Sequence, residues 1–181
     1  MASTLAYADG AFTAVGSPSR RVAITSALLA TACVIGLVEA TMPGLPFAPW
    51  LRLGLANAAV VIALAAFGLK AAAPVSLGRV AVVGLATGSL FSPAFVMAMA
   101  GAVCALGIMW ALKRCVPTTT IVGWSAVGSA AHVAAQFLVA AALLGSSSII
   151  VLAPVSVLVA LILGAVVGYL ARIVASRLHV R

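Results

Sequence analysis

The sequence predicts an all-α membrane protein: six transmembrane helices with both termini cytoplasmic. Three observations predict it. Apolar side chains make up 65% of the 181 residues and charged ones only 7%, whereas a soluble domain carries about 25% charged residues. The mean hydropathy is +1.32. The basic residues, 10 against 2 acidic ones, collect on one side of the six apolar runs. So few charges do not cover the surface of a water-soluble globule. A nucleic-acid binder is excluded too, because its basic residues would cluster on a solvated face. Two carboxylates also exclude any mechanism that needs several.

A spanning helix needs about 20 mostly apolar residues, with a range of roughly 17–25. Met1–Arg21 is mixed and small and reads as a cytoplasmic tail. Val22–Thr41 is the first apolar run. Met42–Arg52 then carries Pro43, Gly44, Pro46 and Pro49 with Phe47 and Trp50. Each proline removes a donor and restricts its predecessor, so no helix runs through it. The segment is too apolar for a solvated loop and reads as a structured cap. Leu53–Leu69 is the second span, and Pro74–Phe91 the third, before a turn at Ser92–Pro93. Ala94–Leu112 is the fourth, Thr120–Leu144 the fifth and Ile149–Ala171 the sixth. The chain therefore divides into a tail (1–21), one membrane domain (22–172) and a basic tail (173–181).

Orientation follows the positive-inside rule. With six spans, both termini share a side with Arg20, Arg21, Lys70, Lys113, Arg114, Arg172, Arg177 and Arg181. Arg52 stands alone opposite, and Arg79 lies within the third span. A cleaved signal peptide fits less well, since Val22–Thr41 exceeds the usual run of about 7–15 residues. Cys33, Cys104 and Cys115 have no metal-ligand spacing and read as small apolar side chains.

Ionisable residues inside a bilayer cost about 2.5–3.5 kcal/mol on insertion scales and need a partner or a watery cavity. Glu39 lies near the outer end of the first span. Arg79 lies about nine residues past Lys70, hence roughly 13 Å deep at 1.5 Å per residue. His132 is near the middle of the fifth span, and Gln136 shares its face at i+4. Asn57 opens the second span, with Arg52 just above it. These depths converge on the outer half of the bilayer, and the expectation is an outward-facing ligand pocket under the Pro-rich loop. The competing reading is a set of interhelical hydrogen bonds, with Glu39 or His132 merely neutralising Arg79. Small-residue steps complete the pattern: Ala23-xxx-Ala27, Gly84-xxx-Gly88 and Gly164-xxx-Gly168. Both glycine pairs read as close helix packing; the alanine pair reads as packing or as an external docking face.

Glu39 with the Pro43/Pro46 loop and Leu53-Gly54-Leu55-Ala56-Asn57 resembles the opening block of the Gx transporter family, also labelled heptaprenyl diphosphate synthase component I. The later blocks are similar as well: Arg79, Thr87-Gly88-Ser89-Leu90-Phe91-Ser92-Pro93-Ala94-Phe95, Gly123, Ser125 to Gly128, His132 and Gln136. The resemblance spans about Val22 to Arg172. The family looks related to the S components of energy-coupling factor (ECF) transporters. Those capture a micronutrient outside and dock on a transmembrane coupling subunit driven by two ATPases. The resemblance implies a substrate site in the outer half and docking through Ala23 and Ala27.

An enzymatic role fails on chemistry. Prenyl diphosphate synthases hold Mg²⁺ with clustered aspartates, because hard cations want several oxygen ligands. Here there are only Asp9 and Glu39. Neither a nucleophile–base pair nor a phosphate loop ending in Lys-Ser/Thr is present, and no cofactor is implied. The expected substrate-binding residues are Glu39, Arg52, Asn57, Arg79, His132 and Gln136, with Trp50, Phe47, Phe91 and Phe95 as an apolar wall. Two arginines against one Glu39 favour a carboxylate or phosphate ligand. An isoprenoid or quinone-precursor phosphate is a candidate by family label only. The alternative is a non-catalytic membrane subunit of a prenyl-diphosphate, quinone-biosynthetic or extracytoplasmic electron-transfer assembly.

Overall fold

A computed structural model describes residues 18–42, 54–116 and 118–178, with the last two of these placed by backbone alone. These residues are helical, with no strand among them: α1 Pro18–Thr41, α2 Asn57–Phe67, α3 Leu69–Ala86, α4 Pro93–Cys115, α5 Ile121–Leu144 and α6 Ala153–Leu178. A short 3₁₀ segment, Ser147–Leu152, leads into α6. Residues 43–53 of the Pro-rich segment, including Trp50 and Arg52, lie outside the described residues, as do residues 1–17 and His179, whereas the expected tail residues 18–21 already belong to α1. Among the described residues, five helical segments are long and apolar enough to cross a membrane.

The second element departs most from expectation. In place of Leu53–Leu69, α2 has 11 residues, about 16 Å at 1.5 Å per residue, against a hydrocarbon core of about 30 Å. Gly68 ends it with φ 77°, and α3 starts at once. Every residue from Ala59 to Ala66 is buried. A helix apolar on all sides belongs in the middle of a bundle, and α2 packs against α1, α3, α5 and α6. The outer helices show the reverse pattern. Val155, Leu158, Ile162, Val166 and Tyr169 form an exposed apolar stripe along α6, the arrangement a helix needs against lipid rather than water.

α3 also differs from the expected Pro74–Phe91. It begins at Leu69 and runs through Pro74. That proline is exposed, and its missing N–H frees only the carbonyl of Lys70 at the exposed helix start. α3 ends early because Gly88 takes φ 68°. Ser89 N donates to Gly84 O at 2.8 Å and Gly88 N to Leu85 O at 3.2 Å, the paired bonds of a Schellman stop. Gly84-xxx-Gly88 is therefore no helix-packing step, because Gly88 lies past the helix end. Ser92 then caps α4 by accepting from Phe95 N at 3.2 Å, with Pro93 in the first turn, where its lack of an N–H is harmless.

Gly164 and Gly168 do let helices approach closely. A β-carbon at Gly168 would lie 2.7 Å from Ser125 Cβ and 2.8 Å from Val122 Cα, so α6 seats its backbone on α5. Gly128 likewise admits Met109 between α5 and α4. On the other flank, Gly36 of α1 faces Val83 and the Arg79 stem of α3. The helices thus follow one another as α1, α3, α4, α5, α6, with α2 between the ends of the row.

Candidate ligand site

α2 is shorter than the helices around it, and a cavity of about 530 Å³ lies beside its N-terminal turn, which contributes Gly54 and Asn57. α1 lends Gly36, Glu39 and Ala40, positions i, i+3 and i+4 of one helical face. α5 presents Ser129, His132, Val133 and Gln136, again one face. From α3 come Arg79, Val83 and Thr87; Phe95 and Met97 of α4 and Leu163 of α6 complete the apolar wall. Glu39, Asn57, Arg79, His132 and Gln136, separated by up to 97 positions in the chain, therefore border one space.

Glycines hold the key side chains in place. The His132 ring lies against Gly101 of α4, where a β-carbon would sit 2.8–2.9 Å from ring atoms. The Arg79 stem runs beside Gly36, whose β-carbon would meet Arg79 Cγ at 3.7 Å. Gly84 accommodates the Phe95 ring, 2.8 Å from where its own β-carbon would be. None of these glycines needs an unusual backbone angle; Gly101 and Gly84 are small because an imidazole and a phenyl ring pass over them, and Gly36 because Val83 Cγ2 would stand 3.0 Å from its β-carbon.

Glu39 is buried, and its Oε1 accepts from Leu55 N at 2.6 Å. The carboxylate is thereby committed to the turn that enters α2, where negative charge also meets the positive end of the helix dipole. At the opposite end of α2, Lys113 Nζ donates to Leu64 O at 2.8 Å and Ala65 O at 3.2 Å. One charge at each end thus complements the dipole of this central helix. Lys113 reads from sequence as part of a topological rim, but the structure gives it this second task.

Glu39 lies near enough to Arg79 to act on it electrostatically, yet one guanidinium atom stays without a partner. Arg79 Nε is buried with no hydrogen-bond partner, and so is His132 Nδ1. The third such atom among the described residues, Ser125 Oγ, belongs to the α5–α6 crossing instead. Buried polar atoms are usually paired, and each exception calls for an explanation. Thr87 and Ser89, by contrast, are bonded to each other at 2.8 Å.

Phe91 stands off the cavity and corrects the expected wall. It is 83% exposed with φ 62°, because the Schellman stop at Gly88 turns the chain and swings Phe91 outward. Its ring meets Phe95 edge-on at 6.0 Å, and Phe95 is the member of the pair that lines the space. Ala23 and Ala27 lie on an exposed face of α1. Sequence reading missed Ser129, although its i−3 spacing from His132 signals the shared face. It also missed Gly101, which nothing in a run of small residues distinguishes.

Neither the curated proteins nor the solved structures contain a match to the chain. A family model, described as heptaprenyl diphosphate synthase component I, matches residues 28–174. That interval takes in Arg79 and His132, Glu39 and Lys113 at the two ends of α2, and all the cavity-lining residues named above. The chain belongs to the heptaprenyl diphosphate synthase component I family.

Proposed function

We propose that this chain is the substrate-binding subunit, or S component, of an ECF-type transporter. It would cross the cell membrane six times, both termini inside, and capture a small nutrient or an isoprenoid- or quinone-precursor-like molecule from outside. Partner subunits, a transmembrane coupling protein and two ATPases, would drive uptake. The observation that carries the reading is the cavity with two buried, unpartnered polar atoms, Arg79 Nε and His132 Nδ1. Helix glue would satisfy every polar atom of these groups; a ligand site leaves some of them for a guest. The chain itself performs no catalysis in this reading, and the second component implied by the family description would be a separate polypeptide.

The exposed Ala23 and Ala27 supply a docking face, because small side chains let a partner helix approach closely. Co-expression with the coupling subunit and ATPases tests this. A stable complex that Ala23→Leu or Ala27→Leu weakens is expected; a complex indifferent to both substitutions removes the docking assignment. The second reading, a non-catalytic membrane subunit of a prenyl-diphosphate or quinone-biosynthetic assembly, is favoured by the family description alone. It predicts a stable protein partner other than ATPases and no bound small molecule.

A further inference from the structure

The chemistry of the cavity narrows what it holds, on the premise that the ligand-capture reading above is right. Of its two ionisable groups of fixed role, the acidic one is already occupied: Glu39 Oε1 is bonded to Leu55 N. The basic one is not, since Arg79 Nε is buried without an acceptor. His132 faces the same space, its ring hydrogen-bonded to the Gly101 backbone of α4 and only its Nδ1 unpartnered. A guanidinium offers a planar fork of donors that matches the oxygens of a carboxylate or phosphate. What the site lacks is therefore an oxyanion.

The remaining wall is apolar, with Val83, Phe95, Met97, Val133 and Leu163. At about 30 Å³ per water-sized group, 530 Å³ holds on the order of 18 such groups, and because the space is open a longer apolar chain would extend beyond it. We infer that the cavity takes an amphipathic oxyanion, with a carboxylate or phosphate head on Arg79, beside His132, and an apolar body against α4 and α6.

The test uses the full chain in lipid nanodiscs and four probes of equal length: hexyl phosphate, hexanoate, hexanol and hexylamine. Thermal unfolding is followed across a concentration series, since a ligand that binds the folded state raises Tm saturably. Hexyl phosphate or hexanoate should raise Tm, the stronger of the two identifying the head group, while hexylamine should not. Inorganic phosphate alone should bind more weakly than hexyl phosphate. Arg79→Gln should weaken anion binding about 10- to 100-fold, the worth of one charge-assisted hydrogen bond, and Arg79→Lys should recover part of it. Should Arg79→Gln fail to fold, the head-group series on the unaltered protein still decides. Equal stabilisation by hexanol or hexylamine overturns the oxyanion assignment while leaving a ligand cavity in place. No response to any of the four overturns both the assignment and the capture reading beneath it.

Discussion

Replacing Lys113 by methionine isolates the cap on the central helix. Methionine keeps most of the apolar stem and removes the ammonium. Among the last four residues of α2, whose carbonyls have no intrahelical donor, Leu64 and Ala65 receive Lys113 Nζ. Leu64 O also accepts from Gly68 N at 3.2 Å and stays bonded, whereas Ala65 loses the Lys113 donor outright. A hydrogen bond to a charged group contributes about 1.5–3 kcal/mol. The charge at the helix C-terminus adds about 0.3–1 kcal/mol. The ammonium also stands 5.8 Å from the Trp124 ring centroid, a contact worth about 0.5 kcal/mol where partly exposed. Because Lys113 is only partly buried, solvent screening trims the sum, and we expect a loss of about 2–3 kcal/mol. For a chain of this length that lowers Tm by about 4–12 °C. The neighbouring Arg114 is exposed and serves as the control, since both residues contribute one positive charge to the same rim. Thermal unfolding in nanodiscs should show a fall for Lys113→Met, little change for Arg114→Met and near-normal behaviour for Lys113→Arg. Equal effects of Lys113→Met and Arg114→Met would refute the capping argument and leave Lys113 as a topological charge only.

Glu39→Ala should destabilise the protein by about 1.5–3 kcal/mol, since Leu55 N loses a charged acceptor; Glu39→Gln, which keeps an acceptor oxygen, should cost less by the same thermal assay. Gly101→Ala places a methyl where the His132 ring now lies, so the ring must shift. Binding of the anionic probe should weaken with a fall in stability of about 1–3 kcal/mol, and a histidine NMR signal should move. Gly168→Val inserts a branched side chain at the α5–α6 crossing and is expected to abolish stable expression, measured by size-exclusion chromatography in detergent.

The helical bundle was readable from hydropathy because lipid-facing helices must be apolar outside, which is what the exposed stripe on α6 displays. The grouping of Glu39, Asn57, Arg79, His132 and Gln136 was readable for a related reason. Polar residues are so costly in a membrane interior that each one stands out, and their depths coincide. Helix ends were less legible. Hydropathy does not distinguish an 11-residue buried helix from a full span, so the second span reads to Leu69 and the third from Pro74, whereas the break falls at Gly68. Phe91 was misplaced because aromatic character says nothing about direction; the left-handed turn at Gly88 decides that. Lys113 was read by its side of the membrane, since a capping contact with carbonyls 48 and 49 residues away leaves no local pattern.

Ligand capture is the centre of this account, and the mass of whatever accompanies the protein tests it most directly. The chain is extracted gently from its membrane and examined by native mass spectrometry. The account predicts a small molecule of defined mass, bound one per chain and lost in Arg79→Gln. A protein that carries no such molecule, yet holds a stable protein partner other than a coupling subunit and its ATPases, would contradict it.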